Sequence, residues 1–133
     1  MKGLKIKSLV VKKDERGSFV ELIRREDLES EDLEFGQIAL TTAKKNETKG
    51  KHYHKRKTEW FCVIEGIAQF RVVDKNTDEE EKFVLDGKNM KVVKVSPFIW
   101  HSIENIGDRD LYILVYVDEP FNLEDPDTFK EDL

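Results

Sequence analysis

Short alternating apolar runs, each cut off by a turn signal, recur along the whole of this chain. Residues 4–11 (Leu4, Ile6, Leu9, Val10) alternate with Lys and Ser and predict a short basic edge strand. Asp14-Glu15-Arg16-Gly17 reads as a turn, and Ser18–Ile23 as the next strand. Arg24 to Glu34 is acidic, could hold a helical turn or a loop, and, lacking a clear apolar stripe, is expected to be a solvated connection. Strands follow at Gln37–Ala43, through the stretch ending at Gly66, and at Ile67–Val73, Lys82–Leu85, Met90–Val95, Ile99–Ile103 and Leu111–Val117. Asp74–Asp78 and Asp86-Gly87 supply hairpin loops, and Ser96-Pro97 breaks a strand because proline has no N–H for a ladder. About nine short strands with no long amphipathic helix predict an all-β sandwich or barrel.

The 133 residues suit one domain, divided into N-terminal strands and an acidic loop (1–35), a barrel core (36–117) and an acidic C-terminal arm (118–133). From Asp118 on, seven acidic residues meet one basic residue, Lys130, with Phe121, Leu123 and Phe129 available to dock the arm. Charged and hydrophobic residues each make up 38%, so a compact core is expected under a densely charged surface. A net charge of -5 argues against a nucleic-acid partner. No apolar run approaches the roughly 20 residues that span a bilayer, so no membrane association is expected. The start of the chain lacks the apolar core of a signal peptide, and the single Cys62 fits a reducing compartment. Cytoplasmic localisation is the expectation.

One stretch carries the chemistry. Gly50–Gly66 holds two of the three histidines, and on a strand His52 and His54 point to one face. If the chain doubles back after Lys55–Thr58, Glu59 meets the same pocket. Two imidazoles and a carboxylate on rigid strands are the parts of a divalent-metal site, and His101 is the candidate fourth ligand. Three nitrogens and one oxygen leave one or two positions open, a set that suits Zn, Fe, Mn or Ni. Cys62 alternates away from the face of Glu59, Phe61 and Val63 and reads as a buried apolar residue.

The spacing Gly50-x-His52-x-His54-(four residues)-Glu59-(six residues)-Gly66 resembles the first cupin motif, and His101 followed four residues later by Asn105 resembles the end of the second. The second motif departs at Pro97-Phe98-Ile99-Trp100, where a Pro-x-Gly turn is usual. The resemblance implies a double-stranded β-helix, a jelly-roll barrel, with His52, His54, Glu59 and His101 as metal ligands. Asp14–Glu21 is similar to the N-terminal strand of sugar-nucleotide epimerases of the dTDP-4-dehydrorhamnose 3,5-epimerase type. Gly36–Gly50, Ser102–Asp108 and Asp118–Thr128 look like the C-terminal cupin domain of bifunctional enzymes that make the UDP-N-acetyl-L-fucosamine precursor of capsular polysaccharide. No dinucleotide-binding fingerprint accompanies them, so the likeness is to the epimerase half.

What the resemblance implies is an epimerase or isomerase of a UDP- or dTDP-linked 4-keto sugar, acting through an enolate, with zinc and a homodimer. Arg16 would then hold the diphosphate, with its planar fork suited to phosphate. Gln37, Lys51 and Trp100 are further candidates for the substrate pocket, and some of Lys49, Lys51, Lys55, Arg56 and Lys57 could steer an anion. In metal-free epimerases the histidine matching His52 is the base and a strand tyrosine, here Tyr116, is the acid. A histidine whose lone pair binds metal cannot also take a proton. Either His52 is a ligand and the base lies elsewhere (Glu65, Lys51 or Tyr116), or His52 does the chemistry. An iron-dependent cupin oxygenase and a non-catalytic small-ligand module share the same ligand set.

Overall fold

The computed structural model describes residues 1–29 and 35–133. Two five-stranded antiparallel sheets face each other as a jelly roll. The first runs in the order β1 (Leu4–Ser8), β9 (Lys91–Val95), β6 (Glu59–Glu65), β11 (Leu111–Val117), β4 (Gln37–Ala43). The second runs β12 (Phe129–Lys130), β5 (Thr48–Tyr53), β10 (Ile99–Asn105), β7 (Ile67–Asp74), β8 (Glu80–Asp86). A separate hairpin, β2 (Val11–Asp14) with β3 (Gly17–Val20), turns at Asp14–Gly17 as the sequence predicts. The fold is the cupin barrel.

Side chains that alternate inward from both sheets fill the space between them. Phe61, Val63, Val93, Val95, Ile113 and Val115 of the first sheet meet Phe70, Val72, Ile99 and Ile103 of the second. Phe61 packs edge-on to Phe70, and Phe70 stacks on Phe83. At one end of β6 and β11 the outward side chains are buried too, whereas Ile64 and Tyr112 at the other end are exposed. Trp60, Cys62, Val92 and Tyr116 form a second cluster under Leu9, Leu22, Ile23, Leu28 and Met90. That double cover explains why Trp60–Val63 and Leu111–Val117 read as near-continuous apolar runs.

This outer cluster corrects two boundaries. The strand expected over Ser18–Ile23 ends at Val20 in the structure, because Leu22 and Ile23 leave the hairpin to cover Trp60. The connection expected to be solvated forms a 3₁₀ turn at Arg25–Leu28 whose Leu28 packs into the same cluster. The rest of that expected connection, 30–34, lies outside the described residues. The arm docks differently from expectation as well. Phe129 stacks on Tyr53, whereas Phe121 and Leu123 remain exposed. Among the described residues no helix is long and apolar enough to cross a membrane.

Candidate metal centre

Strand pairing brings the histidines together. β5 and β10 are antiparallel neighbours with His52 directly opposite His101, and a bulge follows where Ser102 faces Gly50. The bulge needs two consecutive left-handed residues, Gly50 (φ +86°) and Lys51 (φ +60°). Glycine is required at the first, since a Cβ there would stand 2.9 Å from the His101 carbonyl oxygen. The His52 ring sits edge-on to His101 at 4.9 Å between centroids and 5.0 Å from His54, which lies just past the end of β5. Glu59, the first residue of β6, places Oε1 2.9 Å from His54 Nε2 and 3.1 Å from His101 Nε2. Phe61, two residues on, walls the group edge-on to His101. One ligand atom from each of the four residues lies within 4.8 Å of the others.

The far sides of the His54 and His101 rings are set as a metal ligand requires. His54 Nδ1 faces the Asp127 carbonyl at 2.7 Å, and His101 Nδ1 faces the Ile99 carbonyl at 3.0 Å. A carbonyl only accepts, so both Nδ1 atoms carry hydrogen and both Nε2 lone pairs turn toward Glu59. Lone pairs aimed at a carboxylate repel it unless a cation or a proton lies between them. Burial works against charge on His54, but its hydrogen bond to Glu59 outweighs that and leaves its pKa raised. Burial also opposes the Glu59 charge, and the bonds from His101 and His54 overcome it, holding the carboxyl below the usual range. His52 goes the other way. Burial first, then the neighbouring imidazoles, push its pKa down to about 4, so it is neutral and its lone pair is free. Three imidazole nitrogens and one carboxylate oxygen converging in a buried pocket fit a divalent ion such as zinc.

The loop before β10 resolves the departure from the second cupin motif. Phe98 itself adopts the left-handed conformation at φ +66°, the geometry for which glycine is usual. Its N–H donates to the His54 carbonyl at 2.7 Å, and its carbonyl accepts from Lys75 N–H at 2.9 Å. The strained residue is therefore pinned from both sides while it holds His54.

The other candidates fall elsewhere. Tyr116 pairs in register with Trp60, while its neighbour Val117 pairs with Glu59, so Tyr116 points to the outer face of the first sheet and the carboxylate to the inner one. Its hydroxyl accepts from Gly36 N–H at 3.2 Å. A cavity of about 400 Å³ opens on that outer face, between Leu22, Ile23, Leu28, Trp60 and Tyr116, and none of His52, His54, Glu59 and His101 is among the described residues that line it. Trp100 is 1% exposed and turned away from its neighbour His101, with Nε1 donating to the Glu131 carbonyl and Arg71 over its ring. It is packing, not pocket wall. Glu65 ends β6 at the opposite pole from Glu59. Arg16 sits at the tip of the β2–β3 hairpin, paired with Asp14. Gln37 accepts from Phe121 N–H, and Lys51 is exposed beside His52, its Nζ 3.6 Å from Asp132. Within one chain the structure brings together the four candidate ligands, leaves Lys51 adjacent to His52, and separates Arg16, Tyr116 and Trp100.

Residues 12–129 match the family described as the polysaccharide biosynthesis C-terminal domain. The chain belongs to that family. It is 34% identical over 116 residues to a UDP-2-acetamido-2,6-beta-L-arabino-hexul-4-ose reductase of Pseudomonas aeruginosa, covering 87% of this chain and 29% of that protein. It is 26% identical over 129 residues to Agl13 of Haloferax volcanii, a probable low-salt glycan biosynthesis epimerase, covering 93% of this chain and 83% of the relative. Among solved structures, the capsular polysaccharide assembling protein CapF of Staphylococcus aureus superposes with a TM-score of 0.72 at 33% identity, over 94% of this chain and 34% of that one. A dTDP sugar isomerase of Desulfovibrio desulfuricans superposes with a TM-score of 0.84 at 18% identity, over 98% of this chain and 85% of that one, and shares the fold. The chain thus spans about a third of the reductase and of CapF.

Proposed function

We propose that this chain is a metal-dependent epimerase or isomerase of a nucleotide-linked 4-keto sugar, UDP- or dTDP-bound, in the synthesis of a cell-surface polysaccharide. The observation that carries the reading is the convergence of His52, His54, Glu59 and His101 in a barrel of the polysaccharide biosynthesis family. A divalent ion held there, zinc by preference, supplies a Lewis acid for the oxygen that becomes negative when the proton beside the ketone leaves.

The chain's own residues set the rest. His54 and His101 are locked with Nε2 inward, and Glu59 balances the ionic charge. His52, kept neutral by burial, is a ligand in this reading and not the base. With Tyr116 on the outer face and Glu65 at the far pole, Lys51 is, of the three alternatives for the base, the one that neighbours a ligand. We infer too that the 133 residues work as one domain in a cytoplasmic homodimer. The exposed apolar side chains Ile38 and Leu40 on the edge strand β4 are suited to a second copy, whose Arg16 would reach the substrate diphosphate.

Incubation with UDP- and dTDP-4-keto-6-deoxy sugars in D₂O, read by mass spectrometry and NMR, tests the reaction. Exchange at a carbon next to the ketone is expected, lost on chelation and in Glu59→Gln and His101→Ala. Oxygen uptake requiring Fe(II), or sugar binding without exchange, overturns it. Sedimentation as a monomer overturns the dimer.

A further inference from the structure

We propose that the arm 118–133 is an integral part of the metal centre, and that Asp127 is the positioning residue that fixes the direction and tautomer of His54. The proposal rests on the four-ligand reading above.

Asp127 is 3% exposed although it lies in an acidic arm, and it takes a left-handed φ of 48°. Its carboxylate fills a nest of three consecutive backbone donors: Oδ1 accepts from Lys55 N–H at 3.0 Å, and Oδ2 from Arg56 at 2.9 Å and Lys57 at 3.1 Å. Successive N–H groups of this kind form an anion-binding concavity, occupied here from within the chain. With the carboxylate so anchored, the Asp127 carbonyl is aimed at His54 Nδ1 at 2.7 Å. One residue therefore holds the turn that follows the ligand with its side chain and the ligand itself with its backbone.

The arm grips the strands of the other ligands too. β12 pairs with β5 so that Lys130 stands opposite His52, and Glu131 N–H donates to the Lys51 carbonyl at 3.0 Å. The Glu131 carbonyl accepts from the indole of Trp100, the residue before His101. Lys57 Nζ donates to the Pro126 carbonyl, Arg56 bridges Glu119 and Asp125, and Lys55 lies over the Phe129 ring. The basic run 55–57 is thereby paired with the acidic arm. Exposed pairs such as Arg56–Glu119 contribute little on their own. The buried carboxylate with three charge-assisted bonds is the part that positions.

The hydrogen-bond partner on the far nitrogen of a ligating histidine sets ring orientation and ligand basicity, and its loss costs about 10- to 100-fold in metal affinity. The test uses the full chain with Asp127→Ala, Asp127→Gly and Asp127→Asn, each checked for folding by circular dichroism. Zinc affinity is read by chelator competition, the Co(II) visible spectrum reports ligand geometry, and imidazole ¹⁵N NMR of the metal-free protein reports the His54 tautomer. Asp127→Ala and Asp127→Gly are expected to weaken zinc by about 10-fold or more and to release His54 into mixed tautomers. Asp127→Asn, which tolerates a left-handed φ and keeps one side-chain acceptor, is expected to recover part of the affinity. Asp127→Gly matching the parent would assign the effect to backbone strain and overturn the proposal. So would an unchanged zinc affinity and tautomer in Asp127→Ala. A parent protein that binds no divalent ion defeats the four-ligand reading, and the His54 tautomer series then still decides the role of Asp127.

Discussion

Asn105, the last residue of the second motif, supports the site at one remove, and its replacement has a magnitude that the structure sets. The residue is 1% exposed. Its Nδ2 donates to the carbonyls of Ala43 at 2.9 Å and Arg109 at 2.8 Å, and its Oδ1 accepts from Gly107 N–H at 3.0 Å. One side chain thus ties β10 to β4 of the opposite sheet and closes the turn that leads into β11. Asn105→Ala removes three hydrogen bonds, one buried and two partly buried, at about 1 kcal/mol each, so about 3 kcal/mol of stability is at stake. At roughly 3–4 °C per kcal/mol for a chain of this size, the melting temperature should fall by about 10 °C. Urea titration with an unchanged slope and calorimetry measure the two quantities.

Asn105→Asp sharpens the test. The introduced carboxyl still accepts from Gly107, but its second oxygen faces two carbonyls. Its charged form is disfavoured in the fold, so its folded pKa rises above the unfolded value of about 3.9. The native state then holds more protons in the window above that value, and stability must fall as pH rises through it. A loss below about 1 kcal/mol for Asn105→Ala, or an Asn105→Asp protein whose deficit relative to the parent is no larger at pH 7 than near pH 4, would refute the reasoning.

Gly50→Ala places a β-carbon in a left-handed residue at a cost of about 1 kcal/mol, and that carbon, 2.9 Å from the His101 carbonyl, must push β10 aside. Zinc affinity by chelator competition should fall along with the melting temperature, and unchanged affinity would mean that the bulge does not set the ligand geometry. Burial pushes the Cys62 thiol up to about 11, and the outer cluster covers it. Ellman's reagent at pH 8 should leave it unreacted for minutes in the native protein and titrate it at once in denaturant. Rapid native reaction would show that the Trp60 cluster opens.

The candidate metal cluster was legible in the chain because its spacing is local. His52 and His54 stand on one strand, Glu59 opens the next, and the bulge at Gly50 stays inside the same stretch. Only His101 had to be brought from a distance, and as the third of three histidines it had no competitor. Side-chain facing was less legible. β10, the first half of β6 and the second half of β11 are covered on both sides, so no polar alternation marks an outside there, and Tyr116 and Trp100 carry no local sign that they turn away from the candidate ligands. Phe98 gave no sign of its left-handed backbone either, because a phenylalanine is held there only by the partners of its N–H and carbonyl. Asp127 was the residue that sequence reasoning missed. An acidic residue in an acidic arm looks solvated, and the one available signal was charge complementarity with the basic run 55–57, about 70 residues earlier.

Period-2 patterning determined the all-β class, and ligand spacing determined the set His52, His54, Glu59 and His101, since both depend on steps of a few residues along a strand. Which face each strand turns inward, and that the arm at Asp127 closes on the back of His54, were decided by the tertiary structure. Those depend on pairings between distant segments, and their free energy exists only once the sheets have come together.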